Sequence, residues 1–343
     1  MSNPSRRRFF QLAFGAGTVA ALTPWLRYAA AGDEAAPAKP AGNLKVSKRS
    51  SYALGTEISM LALHEDEEVA RKALDAAFGE LETVETVMSI YRSESQISRL
   101  NRDGVLHDPH PYFLSCMKTA LETSKRSDGG FDVTVQPLWD LYMNAKKRNA
   151  LPSDAEIEAA RQKVDWKKID VAPDKIRLPK GMAITFNGIA QGFAADRCAD
   201  ALKAHGITHA LVNAGEINSL GRKADGSPWS VGIQHPREKD AFIALAELDG
   251  VCLSTSGDYA TTFSDDFVYN HIFDPATGRS PLVFSSVTVV ANNATDADAL
   301  STAIFVAGTE RGIKLVEETP GGSALLVFKD GKTFTTKKFP LAK

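Results

Sequence analysis

Apolar and polar side chains alternate from Ser51 to His64, with Tyr52, Leu54, Ile58, Leu61 and Leu63 as the apolar members, and this spacing predicts a strand. The period then changes. Leu74, Ala77, Phe78, Leu81, Val84, Val87 and Met88 recur every three or four residues, which marks one apolar helix face, and Asp66, Glu67 and Glu68 suit the positive end of that helix. A second helix is predicted from Pro111, through Leu114, Met117, Ala120 and Leu121, to a stop at Gly129-Gly130. Phe131–Val135 reads as a short strand, and the polar stretch 146–181, with turns at Pro152 and Pro173, as a surface insertion.

The middle of the chain is more densely patterned. Met182–Phe186 reads as a strand, Asn187-Gly188 as a turn, and Ile189–His205 as a helix ended by Gly206. Further strands are predicted at Ala210–Asn213, Trp229–Gln234, Val251–Thr255, Val268–Phe273 and Ser286–Asn292. Asp296–Val306 reads as the last helix, before a hairpin of Ala324–Phe328 and Lys332–Thr336 turned at Asp330-Gly331. Strands outnumber helices and do not alternate with them, so an α+β layer architecture is expected rather than a doubly wound sheet. No fixed-period repeat is visible.

Composition narrows the function. Lys+Arg 40 stand against Asp+Glu 42 in short mixed runs, without the clustered basic surface that general nucleic-acid binding needs. With 43% hydrophobic residues in 343, a sizeable core can be buried in one large or two medium domains. Cys116, Cys198 and Cys252 lie far apart, with no CxxC pair and no His at ligand spacing; they read as small buried apolar residues, not as a zinc site.

The N-terminus points to export. Residues 1–31 hold Arg6, Arg7, Arg8 and Arg27 and no acid, and Ser5-Arg6-Arg7-Arg8-Phe9-Phe10 precedes an apolar run from Leu12 to Leu22, as in a twin-arginine signal. Gly15, Gly17 and Pro24 interrupt that run, which is short for a membrane span, and Ala29-Ala30-Ala31 suits cleavage. Residues 32–47, beginning with a stretch rich in Ala, Pro and Gly, are expected to form a flexible tether, leaving 48–343 as the folded domain. The expected location is the periplasm, reached through the twin-arginine export machinery, with the protein tethered to the membrane if the signal is not cleaved.

Three stretches can carry chemistry. Asn187-Gly188-Ile189-Ala190-Gln191-Gly192-Phe193 opens a helix through small residues whose amides can approach a phosphate, or the glycines simply turn the chain. His271, in His271-Ile272-Phe273-Asp274-Pro275-Ala276-Thr277-Gly278, can hold a phosphate or move a proton, or be structural. Asp298 and Thr302 are four apart, hence on one helix face, and are hard oxygen donors suited to magnesium; capping and an i−4 hydroxyl bond are the structural alternative. Asp296 fits an N-cap or a dipole partner of that helix. Tyr91, Phe131, Phe193 and Tyr259 lie beside these loops and can stack a flat heteroaromatic ring or serve as core.

Taken in order, Met88-Ser89-Ile90-Tyr91, Ser95 to Asn101, Gly130 to Leu138, Asn187 to Asp196, Ser256-Gly257-Asp258-Tyr259, His271 to Gly278 and Asp298 to Thr302 resemble the ApbE family of FAD:protein FMN transferases over roughly residues 48–330. The resemblance implies one α+β globular unit of two subdomains with FAD between them and magnesium at the diphosphate. It places Leu54, Tyr91, Gly130, Phe131, Asp132, Thr185, Gln191 and His271 along the FAD site, and the Gly188 carbonyl, Asp298 and Thr302 at the metal. His271 and Asp298 are then the candidate catalytic residues. Gln191 stands where many members have Lys or Glu, Leu54 where Met is common, and Ala214-Gly215-Glu216-Ile217 where a double-Gly stretch is usual.

The implied reaction is transfer of the FMN half of FAD to a Thr or Ser hydroxyl of another protein, with release of AMP. FAD diphosphatase activity and non-catalytic FAD carriage are the competing expectations. Export suggests as acceptor a flavoprotein subunit of a membrane redox complex, of the quinone reductase type or from nitrous oxide respiration.

Overall fold

The computed structural model describes residues 43–342, so the signal expected over 1–31 and the tether up to residue 42 lie outside the described residues. The first elements are β1 (Lys45–Ala53), β2 (Thr56–His64), α1 (Glu67–Met88), α2 (Gln96–Asp103), β3 (Val105–His107), α3 (Pro111–Arg126), α4 (Gln136–Lys147) and α5 (Asp154–Arg161). There follow β4 (Asp170–Ala172), β5 (Lys175–Arg177), α6 (Ala190–Ala204), β6 (His209–Asn213), β7 (Ile217–Leu220), β8 (Trp229–Gln234) and β9 (Phe242–Leu248). The chain closes with β10 (Cys252–Gly257), β11 (Phe284–Ala291), α7 (Ala294–Ala307), α8 (Thr309–Glu317), β12 (Ser323–Phe328) and β13 (Thr333–Thr335). β1 takes in Lys45–Ser47, which the sequence reading gave to the tether.

An antiparallel eight-stranded sheet, ordered β1-β2-β6-β7-β10-β11-β12-β13, forms the middle layer. Because side chains alternate across a strand, one sequence feeds two cores. Ile58, Met60, Ala210, Val212, Val287, Val289, Ala324 and Leu326 face α1, α6 and α7. Leu63, Leu211, Val290, Leu325 and Val327 face the other way, against Trp229, Val231, Ala246 and Leu248 of the β8–β9 hairpin. A third cluster, Leu138, Tyr142, Ile157, Ala160 and Phe273, joins α4 and α5 to the segment after β10. The α+β class read from the sequence is the class observed. Cys116, Cys198 and Cys252 are buried and free, as expected.

Several local expectations are corrected, and polar side chains account for most of them. The Ser51–His64 strand is two strands, broken at Leu54-Gly55, where both residues have positive φ (49° and 79°). Phe131–Val135 is not a strand: the Asp132 carboxylate accepts from Thr134 N and Oγ1 and draws Val133–Val135 into a 3-10 turn. Met182–Phe186 joins no sheet, since the Asn101 amide takes both the Ile184 N–H and C=O (2.7 and 2.8 Å). Val268–Phe273 is likewise irregular, with Asn270 and Ser280 satisfying the backbone groups and Phe267 at φ 61°. The 146–181 insertion folds into α5 and the β4–β5 hairpin, burying Ile157 and Ile176. Asp296–Val306 is not the last helix, because α8 follows Gly308. Asn293 caps α7, and Asp296 lies in its first turn and bonds back to Asn293, so of its two expected roles the dipole partner is the one observed.

Candidate active site

The site is built where α6 and α7 start side by side under the sheet. The Asp196 carboxylate, on α6, accepts from Ala294 N (2.8 Å), Thr295 N (2.9 Å) and Thr295 Oγ1 (2.5 Å), so it caps α7 from its neighbour. In return Asp298 Oδ2, on α7, accepts from Gly192 N at 2.9 Å. Only glycine permits this crossing, since a Cβ on residue 192 would sit 2.2 Å from the Ala294 carbonyl oxygen. Burial pushes the Asp298 carboxyl up to about 7, against the lowering effect of the Gly192 amide.

Thr302 lies one turn further along α7, on the same face as Asp298. Its hydroxyl bonds to Ser256 Oγ on β10 (3.0 Å), while the adjacent Ser301 hydroxyl takes the Asp298 backbone carbonyl (2.9 Å). Thr302 therefore escapes the i−4 back-bond that was its structural alternative. A Cβ on Gly188 would stand 3.1 Å from Thr302 Oγ1 and 3.2 Å from the Phe131 ring, so backbone, hydroxyl and ring meet at one point.

Thr302 Oγ1 and the Gly188 backbone thus meet, and the buried Asp298 carboxylate lies one turn back on the same helix face. This donor set is hard and fits magnesium. Glu216 adds to it. Burial and the nearby Asp298 charge both push its carboxyl up, and Thr255 N donates to Glu216 Oε2 (3.3 Å).

The other expected residues surround this point in part. Gln191 Nε2 donates to the Leu54 carbonyl (3.3 Å) and Glu85 Oε1 accepts from Leu54 N (2.9 Å), so both polar groups of a strained non-glycine turn residue are held. A Cβ on Gly215, which has φ 97°, would fall 2.5 Å from Gln191 Cδ, so the Gln191 side chain would have to move. Gly130 packs against the Ala303 carbonyl of α7. Thr185 N donates to Val133 O, Thr185 Oγ1 accepts from Asn187 N, and the exposed Tyr91 reaches the Asn187 side chain. Asp132 is spoken for: Thr134 and Trp166 N use both its carboxylate oxygens, so its side chain holds a turn. Phe131 and Phe193 are core residues, and Tyr91 is the solvent-facing aromatic of the four.

His271 belongs to a neighbouring segment, its ring edge-on to Trp139 and its backbone N–H donated to Thr261 O (3.0 Å). Its Nδ1 is covered and has no hydrogen-bond partner among the described residues, an arrangement that calls for a ligand atom or a functional reason. Burial lowers its pKa to about 4, so the ring is neutral at pH 7. Asp258, close enough to oppose that shift, is fully buried between Arg237 (two bonds of 2.7 Å) and Lys329 (2.5 Å).

Sequence reasoning missed Ser256, Glu216 and the packing role of Gly192. The signal for the first was there, because Ser254 and Ser256 are two apart in a strand and so share a face.

The sequence model of the ApbE family matches residues 54–327, and the chain belongs to that family. Among curated relatives, the FAD:protein FMN transferase of Salmonella typhimurium is 31% identical over 277 residues (76% of this chain, 78% of that one). The protein of the same name from Treponema pallidum is 33% identical over 282 residues (75% and 77%). Solved structures agree: the ApbE protein of Thermotoga maritima superposes with a TM-score of 0.76 at 29% identity, covering 85% of this chain and 97% of its own. The apo flavinyl transferase ApbE of Pseudomonas stutzeri gives 0.74 at 31% identity, covering 87% and 96%.

Proposed function

We propose that the protein is a FAD:protein FMN transferase that works with magnesium on a Thr or Ser hydroxyl of an exported acceptor. The observation that carries the reading is the approach of Gly188 to Thr302, one helical turn from the buried Asp298, in a chain whose relatives bear that name. Gly188, through its carbonyl, Asp298 and Thr302 would hold the metal. The chemistry such a metal would supply is neutralisation of the charge that develops on diphosphate oxygens during phosphoryl transfer.

The chain's own residues supply the rest. The Gly192 amide fixes the rotamer of Asp298, and Asp196 fixes the helix that carries it. Leu54, Tyr91, Gly130, Phe131, Thr185 and Gln191, with the Asp132 turn, would line the FAD site, as the family resemblance implies. The acceptor oxygen bonds to the phosphorus of the FMN half, the bond from that phosphorus to the bridging oxygen breaks, and AMP leaves with the bridging oxygen. The hydroxyl proton needs an acceptor, and neutral His271, whose Nδ1 is unpaired, can take it or can steady the diphosphate.

The paired Arg6 and Arg7 support export by the twin-arginine route to the periplasm, where a flavoprotein subunit of a membrane redox complex is the acceptor. Incubation with FAD, magnesium and such a subunit, followed by in-gel flavin fluorescence, tests the reading. Fluorescence retained on the denatured acceptor is expected. Release of FMN and AMP without labelling would make the protein a diphosphatase, and intact FAD would make it a carrier.

A further inference from the structure

Three hydroxyls run in line beside the Asp298/Thr302 pair: Thr302 Oγ1 to Ser256 Oγ (3.0 Å), Ser256 Oγ to Ser301 Oγ (2.7 Å), and Ser301 Oγ to the Asp298 backbone carbonyl (2.9 Å). Each hydroxyl has one proton to give, and a carbonyl can only accept. The order of donation is therefore forced from one end. Ser301 spends its proton on the Asp298 carbonyl, so Ser256 must donate to Ser301, and Thr302 must donate to Ser256. Ser254, which stands 3.4 Å from Ser301, does not compete, because its hydroxyl is paired with the Glu216 carboxylate.

The consequence falls on Thr302. With its proton turned toward β10, its lone pairs are left for the side where Gly188 approaches within a Cβ's reach. We infer that Ser256 is a positioning residue for the metal: it holds the Thr302 hydroxyl in the one orientation that offers an oxygen lone pair, not a proton, to a cation. Without Ser256, the Thr302 hydroxyl is free to take the usual helical alternative and donate to the carbonyl four residues back, that of Asp298. Outer partners of this kind commonly change metal affinity by about 10–100-fold. The inference rests on the magnesium reading given above and deepens it.

The test is calorimetric titration of magnesium into FAD-loaded wild-type, Ser256→Ala and Ser256→Thr proteins, with thermal melts of the metal-free and FAD-free forms alongside. Magnesium is expected to bind Ser256→Ala about 10–100-fold more weakly. Ser256→Thr should recover most of the loss, the melts should coincide, and saturating magnesium should restore turnover of Ser256→Ala. Unchanged magnesium affinity in Ser256→Ala, or Ser256→Thr as weak as Ser256→Ala, overturns the inference. If Ser256→Ala does not fold, Ser301→Ala breaks the same chain one bond further on; there, weakened magnesium binding supports the inference and unchanged binding overturns it. Wild-type protein that takes up no magnesium would instead defeat the magnesium reading itself, so the two failures are told apart by the wild-type arm alone.

Discussion

The Gly192 amide donates to Asp298 Oδ2 across 2.9 Å, and the two helices cross there so closely that residue 192 can carry no side chain. This contact ties the glycine-rich start of α6 to the carboxylate proposed to hold the metal. Gly192→Ala must push α7 away, because its Cβ would meet backbone and not a movable side chain. Overpacking of this kind costs about 1–3 kcal/mol, and Asp298 loses its orienting bond at the same time. Urea unfolding should show the loss, and transfer activity should fall further than the fraction unfolded explains. A variant as stable and active as wild type would contradict the packing.

His271 should give the protein a pH signature. Its pKa falls from 6.5 to about 4 on folding, so between these values the unfolded chain binds the more protons. Stability is then fully present above about pH 6.5 and declines as pH drops toward 4, by about 3 kcal/mol for this one group. His271→Gln should unfold with a flatter pH dependence over that window and should transfer FMN poorly at pH 7. Denaturant titrations of both proteins at pH 7 and 4.5 check the first statement, and parallel behaviour would contradict it.

Thr302→Val keeps the shape of the side chain and removes its oxygen. Activity is expected to drop at least tenfold at limiting magnesium, with circular dichroism unchanged, because an oxygen ligand is lost and no packing is. Full activity at limiting magnesium would return Thr302 to a structural role.

Export depends on the identity of the paired arginines and not only on their charge, since a receptor reads them. Arg6→Lys with Arg7→Lys should leave the protein in the cytoplasm, as judged by cell fractionation. Normal periplasmic recovery would contradict the twin-arginine assignment.

What could be read in the sequence divides along physical lines. Elements whose hydrophobic period dominates, such as α1, β6, β8 and the β12–β13 hairpin, fall where their spacing puts them. Elements decided by a polar side chain do not: nothing local to Met182–Phe186 says that Asn101 will occupy its backbone groups, and the short-range Asp132–Thr134 bonds that coil the residues after Phe131 leave no mark on the hydrophobic period. The same holds for the site. The i, i+4 spacing of Asp298 and Thr302 puts them on one helix face, as observed, while the choice of a metal role over a structural one comes only from the family resemblance. The crossing with Gly192, the Asp196 cap and the Ser256 hydroxyl depend on contacts between residues far apart in the chain, which periodicity does not record.

The account's central claim is that one magnesium ion, the diphosphate of FAD, and the oxygens of Asp298, Thr302 and Gly188 form a single site. Each ligand must then raise the affinity of the other by the same factor. Titration calorimetry of FAD into wild-type protein, with and without magnesium, measures that factor, and Asp298→Ala serves as the control. FAD should bind at least tenfold more tightly with magnesium in wild type and equally with or without it in Asp298→Ala. FAD affinity that ignores magnesium in the wild-type protein would contradict the claim.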